Sequence, residues 1–114
     1  MVEGSVAASK PTGLPPVRLV ATDLDGTLLR PDGTISERTI RAVRSARDAG
    51  LYVIPMTGRP PRVTWEVAKE AGLGPLGVCS NGAALVDFSA MEVIEVETLG
   101  RDVAAEVVLM LREF

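Results

Sequence analysis

The sequence predicts an α/β fold: a parallel three-stranded sheet with helices, followed by a β-hairpin and one last helix. Three observations carry this prediction. Short apolar, β-branched runs alternate with helix-period segments in the order strand–helix–strand–helix–strand. Each run ends in a polar, glycine-containing turn, "DLDGT", "TGRP" and "SNGA" in succession. The stretch after the third run alternates with the period of two expected of antiparallel strands. Parallel strands joined through helices make right-handed crossovers, and such sheets bind ligands beyond the carboxyl ends of their strands. Three polar turns on one rim therefore mark the place for chemistry.

Residues 1–16, "MVEGSVAASKPTGLPP", lack the apolar stretch of a signal peptide and read as a flexible tail. Residues 17–22 form the first strand, read as buried. "RPDGTIS" (30–36) places a Pro-Asp-Gly turn between short extended pieces, as a small hairpin or flap. A helix follows over 37–49, with Ser36 as N-cap, Ile40, Val43 and Ala46 as its apolar stripe, and Gly50 at its C-terminal end. Residues 51–56 form the second strand. Pro60 or Pro61 suits the first turn of the next helix, 61–71, whose apolar residues are Val63, Val67, Ala68 and Ala71 and which Gly72 closes. Trp65 on that helix reads as packing.

The third strand is 76–79 and ends on Cys79, a small buried residue. Residues 83–86 and 92–98 read as antiparallel strands around an 87–91 turn. In the second of them Ile94 and Val96 face one way and Glu95 and Glu97 the other, the acids forming a solvated face. Residues 101–114 form a last helix with Val103, Val107, Met110 and Leu111 on one face.

Composition narrows the function classes. The chain has 114 residues, 46% hydrophobic and 24% charged, enough for one modest domain. A net charge of −3 argues against nucleic acid or an anionic membrane as the main partner. One cysteine excludes an internal disulfide and fits a reducing, cytoplasmic setting. The absence of histidine removes His-based zinc sites and Ser–His or Cys–His nucleophile pairs. No apolar run approaches a membrane span.

The chemistry concentrates in "LVATDLDGTLL" (19–29). Asp23 and Asp25 stand two apart at a strand end, so both carboxylates can face one volume. Two such acids resist ionising together unless a cation is near. One can attack or bind metal while the other holds a proton, and a hard cation such as Mg²⁺ would offset their charge. Gly26 permits a tight turn, and Thr27 can hydrogen-bond a neighbouring carboxylate or backbone group. An isolated Asp-x-Asp-Gly would read as a turn cap in a solvated loop; the preceding apolar strand favours a site. Arg59 either holds an anionic substrate or pairs with a surface acid. Asn81 either lines the substrate side of the site or serves the turn, where Gly82 is structural.

"DLDGTLL" resembles motif I of the haloacid dehalogenase (HAD) superfamily. "IPMTGRP" is similar to its motif II as found in Cof-type (cap class IIB) phosphatases, and "CSNGAALVD" resembles the segment that follows there. The resemblance implies a Rossmann-like core with Asp23 as nucleophile and Mg²⁺ ligand. It implies Asp25 as general acid/base, with its backbone carbonyl on the metal. Thr57, through its hydroxyl, and the Gly58 amide would bind phosphate; Arg59 and Asn81 would lie on the substrate side. A transferring phosphoryl group needs such an in-line nucleophile with donors around its oxygens, and amides just before a helix favour anions. The implied function is a Mg²⁺-dependent phosphatase of small phosphorylated metabolites, such as sugar phosphates, acting through an aspartyl-phosphate. The alternatives are a phosphomutase or phosphotransferase of the same superfamily, a non-catalytic fragment, or half of an assembly.

Two features depart from that pattern. Pro55 sits inside the second strand, where proline removes a ladder donor. The family's motif III lysine and motif IV acidic pair have no counterpart: the lysines are Lys10, in the tail, and Lys69, mid-helix. The expectation is therefore an N-terminal portion, with a partial core over 17–98 and the start of a cap domain, its first helix included, over 99–114. Its first strand would be an uncovered apolar edge, inviting self-association or a complementing chain.

Overall fold

A computed structural model describes residues 13–114. Most of the expected tail, residues 1–12, lies outside the described residues; residues 13–16 are exposed. The elements run β1 (Leu19–Thr22), α1 (Glu37–Asp48), β2 (Tyr52–Pro55), α2 (Pro61–Ala71), β3 (Leu76–Cys79), β4 (Ala84–Asp87), β5 (Glu92–Val96) and α3 (Arg101–Leu111).

Both central helices end where their caps dictate. The Ser36 hydroxyl accepts the Thr39 N–H at 3.1 Å at the start of α1. At its other end Gly50 adopts φ +91°, Gly50 N–H donates to Arg47 C=O at 2.9 Å, and Leu51 N–H donates to Ala46 C=O at 3.1 Å. Gly72 closes α2 in the same way with φ +74°. The inward face of α2 is Thr64, Ala68 and Ala71, spaced i, i+4, i+7. Val63, expected inside, is exposed, because Thr64 takes the inward position and satisfies its hydroxyl on Pro60 C=O at 3.0 Å. Trp65 packs on Phe88 with ring centroids 6.2 Å apart.

The sheet keeps the expected neighbours but is interrupted between β2 and β3. β1 and β2 pair in parallel from Leu19↔Tyr52 to Thr22↔Pro55. Tyr52 N–H donates to Arg18 C=O at 2.9 Å and Met56 N–H to Thr22 C=O at 2.8 Å, so even-numbered amides of this strand serve β1. The odd-numbered ones face β3, where Thr57 N–H reaches Val78 C=O at 2.9 Å. Pro55 belongs to this second set and has no N–H to give. A single parallel bridge, Met56↔Val78, remains instead of a continuous three-strand ladder. β3 instead forms its own antiparallel sheet in the order β3-β4-β5, with a register shift between Leu85 and Val86.

Further expectations are corrected at the periphery. The 30–36 segment forms no strand pair. It is a compact turn in which Arg30 N–H donates to Thr34 C=O at 2.8 Å and Asp32 Oδ1 accepts the Thr34 hydroxyl at 2.6 Å. β1 is not buried: Leu19 is 51% and Val20 38% exposed, since no strand flanks its outer edge among the described residues. β5 is exposed along its length, Ile94 and Val96 included, and α3 leaves Val103, Met110 and Leu111 exposed with only Val107 and Ala104 half-buried. Cys79 is buried as expected, and burial pushes its thiol pKa up.

Candidate active site

The turn after β1 is built around two buried leucines. Leu24 is 0% exposed and Leu29 N–H donates to Leu24 C=O at 2.9 Å, closing a wide loop. Gly26, at φ +77°, supplies the left-handed step that this closure requires. With both leucines held inside, the intervening polar residues are displayed outward. Asp23 Oδ1 accepts the Leu24 N–H at 2.7 Å, which fixes the carboxylate and leaves Oδ2 without a partner among the described residues. Thr27, given two options by the sequence, is exposed and makes no side-chain hydrogen bond among the described residues.

The turns after β2 and β3 are laced together. Thr57 is 5% exposed; its N–H is spent on Val78 and its Oγ1 accepts the Arg59 N–H at 3.0 Å. That leaves the Thr57 hydroxyl proton free to donate. Ser80 N–H donates to Arg59 C=O at 2.9 Å and Asn81 N–H to Thr57 C=O at 3.1 Å. Ser80 and Asn81 adopt φ +53° and +55°, strained conformations for residues bearing a Cβ, held by this lacing. The Asn81 side chain lies against Gly58, where a Cβ would stand 2.8 Å from Asn81 Oδ1.

Asp23, Thr57, Gly58 and Asn81 thus come together on a cleft of about 370 Å³, completed by Met56, Val78 and Gly82. The two apolar walls escaped the sequence reading; Met56 and Val78 flank the predicted polar turns, and that adjacency was the available signal. Asp25 and Arg59 do not line this cleft. They hold each other: Arg59 Nε donates to Asp25 Oδ2 at 2.7 Å and Nη2 to Oδ1 at 2.6 Å. Of the two roles open to Arg59, pairing with an acid is the one seen, and the acid is Asp25. The guanidinium holds the Asp25 carboxyl below the ordinary carboxylate range, while the carboxylate raises the Arg59 pKa.

The donors beside the cleft are the two expected, the Thr57 hydroxyl and the Gly58 amide, but they come from the turn and not from the helix start. Pro60 caps α2 and Pro61 opens it, so the helix start lacks two amides. With Thr57 and Arg59 N–H already bonded, Gly58 supplies the unpartnered N–H of the turn among the described residues. The free donors of this turn are therefore the Gly58 amide and the Thr57 hydroxyl, not a helix end.

For a hard cation, the cleft lining offers one carboxylate, that of Asp23, with Oδ2 free. Among the described residues no three acidic or thiol side chains converge on a metal position. A single carboxylate is within the habit of Mg²⁺, which commonly keeps several waters and uses one or two carboxylates. Lys69 lies elsewhere, in a separate cleft with Trp65 and Phe88.

The chain resembles known proteins in sequence and in fold. The profile of the haloacid dehalogenase-like hydrolases matches residues 20–114. The chain is 35% identical over 96 residues to the pyridoxal phosphate phosphatase YbhA of Escherichia coli K12, covering 84% of this chain and 35% of that protein. It is 35% identical over 86 residues to the 5-amino-6-(5-phospho-D-ribitylamino)uracil phosphatase YcsE of Bacillus subtilis, covering 75% of this chain and 34% of that one. Among solved structures, a haloacid dehalogenase-like hydrolase from B. subtilis superposes with a TM-score of 0.74 at 28% identity, over 85% of this chain and 34% of the other. A HAD phosphatase from Bacteroides thetaiotaomicron shares the fold with a TM-score of 0.76 at 24% identity, over 91% of this chain and 40% of its own. The chain spans about a third of the length of the curated relatives it matches.

Proposed function

The chain belongs to the haloacid dehalogenase-like hydrolase family, and from that membership we propose that it carries the nucleophile half of a phosphomonoester hydrolase. The observation that bears most weight is that the Asp23 carboxylate, with Oδ2 free, shares one cleft with the Thr57 hydroxyl and the Gly58 amide. In this reading Asp23 attacks phosphorus, forming an aspartyl-phosphate as the bond to the leaving oxygen breaks. Asp25 gives the leaving oxygen its proton, then takes one from the water that cleaves the acyl phosphate. Thr57 and Gly58 hold the phosphoryl oxygens, and Asn81 borders the substrate side. Mg²⁺ on Asp23 and the Asp25 carbonyl would neutralise the charge between nucleophile and phosphate.

The names of the relatives support small phosphorylated metabolites as the substrate class; sugar phosphates within that class are part of the proposal alone. The division into a partial core over 17–98 and the beginning of a cap over 99–114 belongs to the same reading. So does a cytoplasmic setting, supported by the single, buried, unpaired Cys79.

Hydrolysis of 4-nitrophenyl phosphate with and without Mg²⁺, in the chain and in Asp23→Asn, tests the reading. Turnover requiring both Mg²⁺ and Asp23 is expected of a competent site; turnover indifferent to Asp23 would overturn it. A second reading, a non-catalytic part of an assembly, is favoured by a cleft that no lysine among the described residues lines. The exposed β1 edge supports self-association or a complementing chain, which size-exclusion chromatography tests. A monomer that melts cooperatively counts against it.

A further inference from the structure

We propose that Arg59 is a shared guanidinium: it clamps Asp25 while the cleft is empty and passes to the phosphate oxygens when a phosphoryl group enters, releasing Asp25. The proposal deepens the phosphoryl-transfer reading and rests on it.

The geometry points this way on four counts. The fork engages both Asp25 oxygens, at 2.7 and 2.6 Å, so a clamped Asp25 has neither oxygen free of Arg59. The clamped carboxylate is also absent from the cleft lining that holds Asp23. The Arg59 backbone is pinned between the two rim turns, through Thr57 Oγ1 on one side and Ser80 N–H on the other. Only its side chain can travel, and it starts one residue beyond Gly58. Finally, among the described residues the cleft lining contains no Lys or Arg, so an entering phosphate finds its nearest cation along the chain in Arg59.

The exchange is chemically matched. The Asp25 side chain is 60% exposed and that of Arg59 26%, so the pair is screened by water and cheap to open. A phosphate dianion offers the same bidentate geometry with more charge. Asp25, once released, is the group that must approach the leaving oxygen. One event, phosphate binding, would thus both charge-balance the substrate and free its proton donor.

Titration of the full ¹⁵N-labelled chain with inorganic phosphate, without divalent cations, tests this. The expected result is that the Gly58 amide and the Arg59 Nε–H resonance, identified by its loss in Arg59→Lys, shift along one saturation curve. Arg59→Ala should weaken phosphate binding about threefold or more, and Asp25→Asn should tighten it about threefold. In the Arg59→Ala background Asp25→Asn should have a clearly smaller effect, because no clamp is left to release. Arg59→Lys should retain part of the affinity while losing the coupling to Asp25. A Gly58 response without an Arg59 response, or an equal Asp25→Asn effect in both backgrounds, would make the fork a static strut and overturn the exchange. If neither Gly58 nor Arg59 responds to phosphate, the phosphate reading of the cleft fails, and the exchange with it.

Discussion

Gly77 lies against the ring of Pro55: a Cβ at position 77 would stand 2.9 Å from Pro55 Cγ, with the Phe88 ring nearer still. This contact is where β3 meets β2 after Pro55 has removed the ladder donor between them. Packing replaces a hydrogen bond at the seam that sets the rim turns side by side. Gly77→Ala forces the proline and phenylalanine rings apart and should cost about 1–3 kcal/mol, read as a lower urea midpoint of the full chain. An unchanged midpoint would mean that the seam is loose.

Gly58→Ala meets a different neighbour. Its Cβ would press on Asn81 Oδ1, the movable end of a side chain, at 2.8 Å. Stability should change by less than about 1 kcal/mol, while Asn81 is pushed from its place and the affinity for inorganic phosphate falls. Calorimetric titration beside a urea melt separates the two effects. Loss of stability with intact phosphate affinity would refute this assignment of the contact.

Acidification should weaken the fold through three carboxylates. Asp25 is held below its ordinary value of 3.8 by Arg59, Asp32 by the Thr34 hydroxyl and amide, and Asp87 by the Ser89 hydroxyl and Ala90 amide. Lowered folded pKa values mean that the unfolded chain binds more protons in this range. Their contribution is therefore complete above 3.8 and disappears as pH falls through the depressed values. Urea midpoints should drop between about pH 5 and about pH 2. Arg59→Gln should return the Asp25 carboxyl ¹³C titration toward the ordinary value while leaving Asp32 and Asp87 unmoved.

Ser36→Ala removes the acceptor of the Thr39 N–H at the start of α1. A loss of about 1 kcal/mol is expected, together with faster amide exchange in the first turn. Ser36→Asp should restore most of it, because an aspartate accepts the same bond and favours the helix N-terminus.

The sequence carried local structure well, since caps and turns are written in neighbouring residues. Ser36, Gly50, Pro61 and Gly72 bound the two central helices within a residue of their expected ends. Partnership was harder to read. Val63 and Thr64 are adjacent on α2, and the alanines facing the sheet decide which turns inward; hydropathy favours the wrong one. Periodicity marked a face on α3, yet Val103, Met110 and Leu111 on that face are exposed. At the site, Asp23, Thr57, Gly58 and Asn81 were legible because each sits in a turn ending a strand on one rim. Asp25 and Arg59 were legible as residues but not as a pair.

The sequence by itself determined the alternation of strands and helices, the three rim turns and the identity of their polar groups, because spacing, proline, glycine and capping residues act over a few positions. Only the tertiary structure decided that Pro55 breaks the sheet toward β3, that Gly77 must be bare, that Gly58 lies against Asn81, and that Arg59 grips Asp25 outside the cleft. Those outcomes depend on which segments, 20 to 30 or more residues apart, come to lie within a few ångströms of one another. No local pattern records that distance.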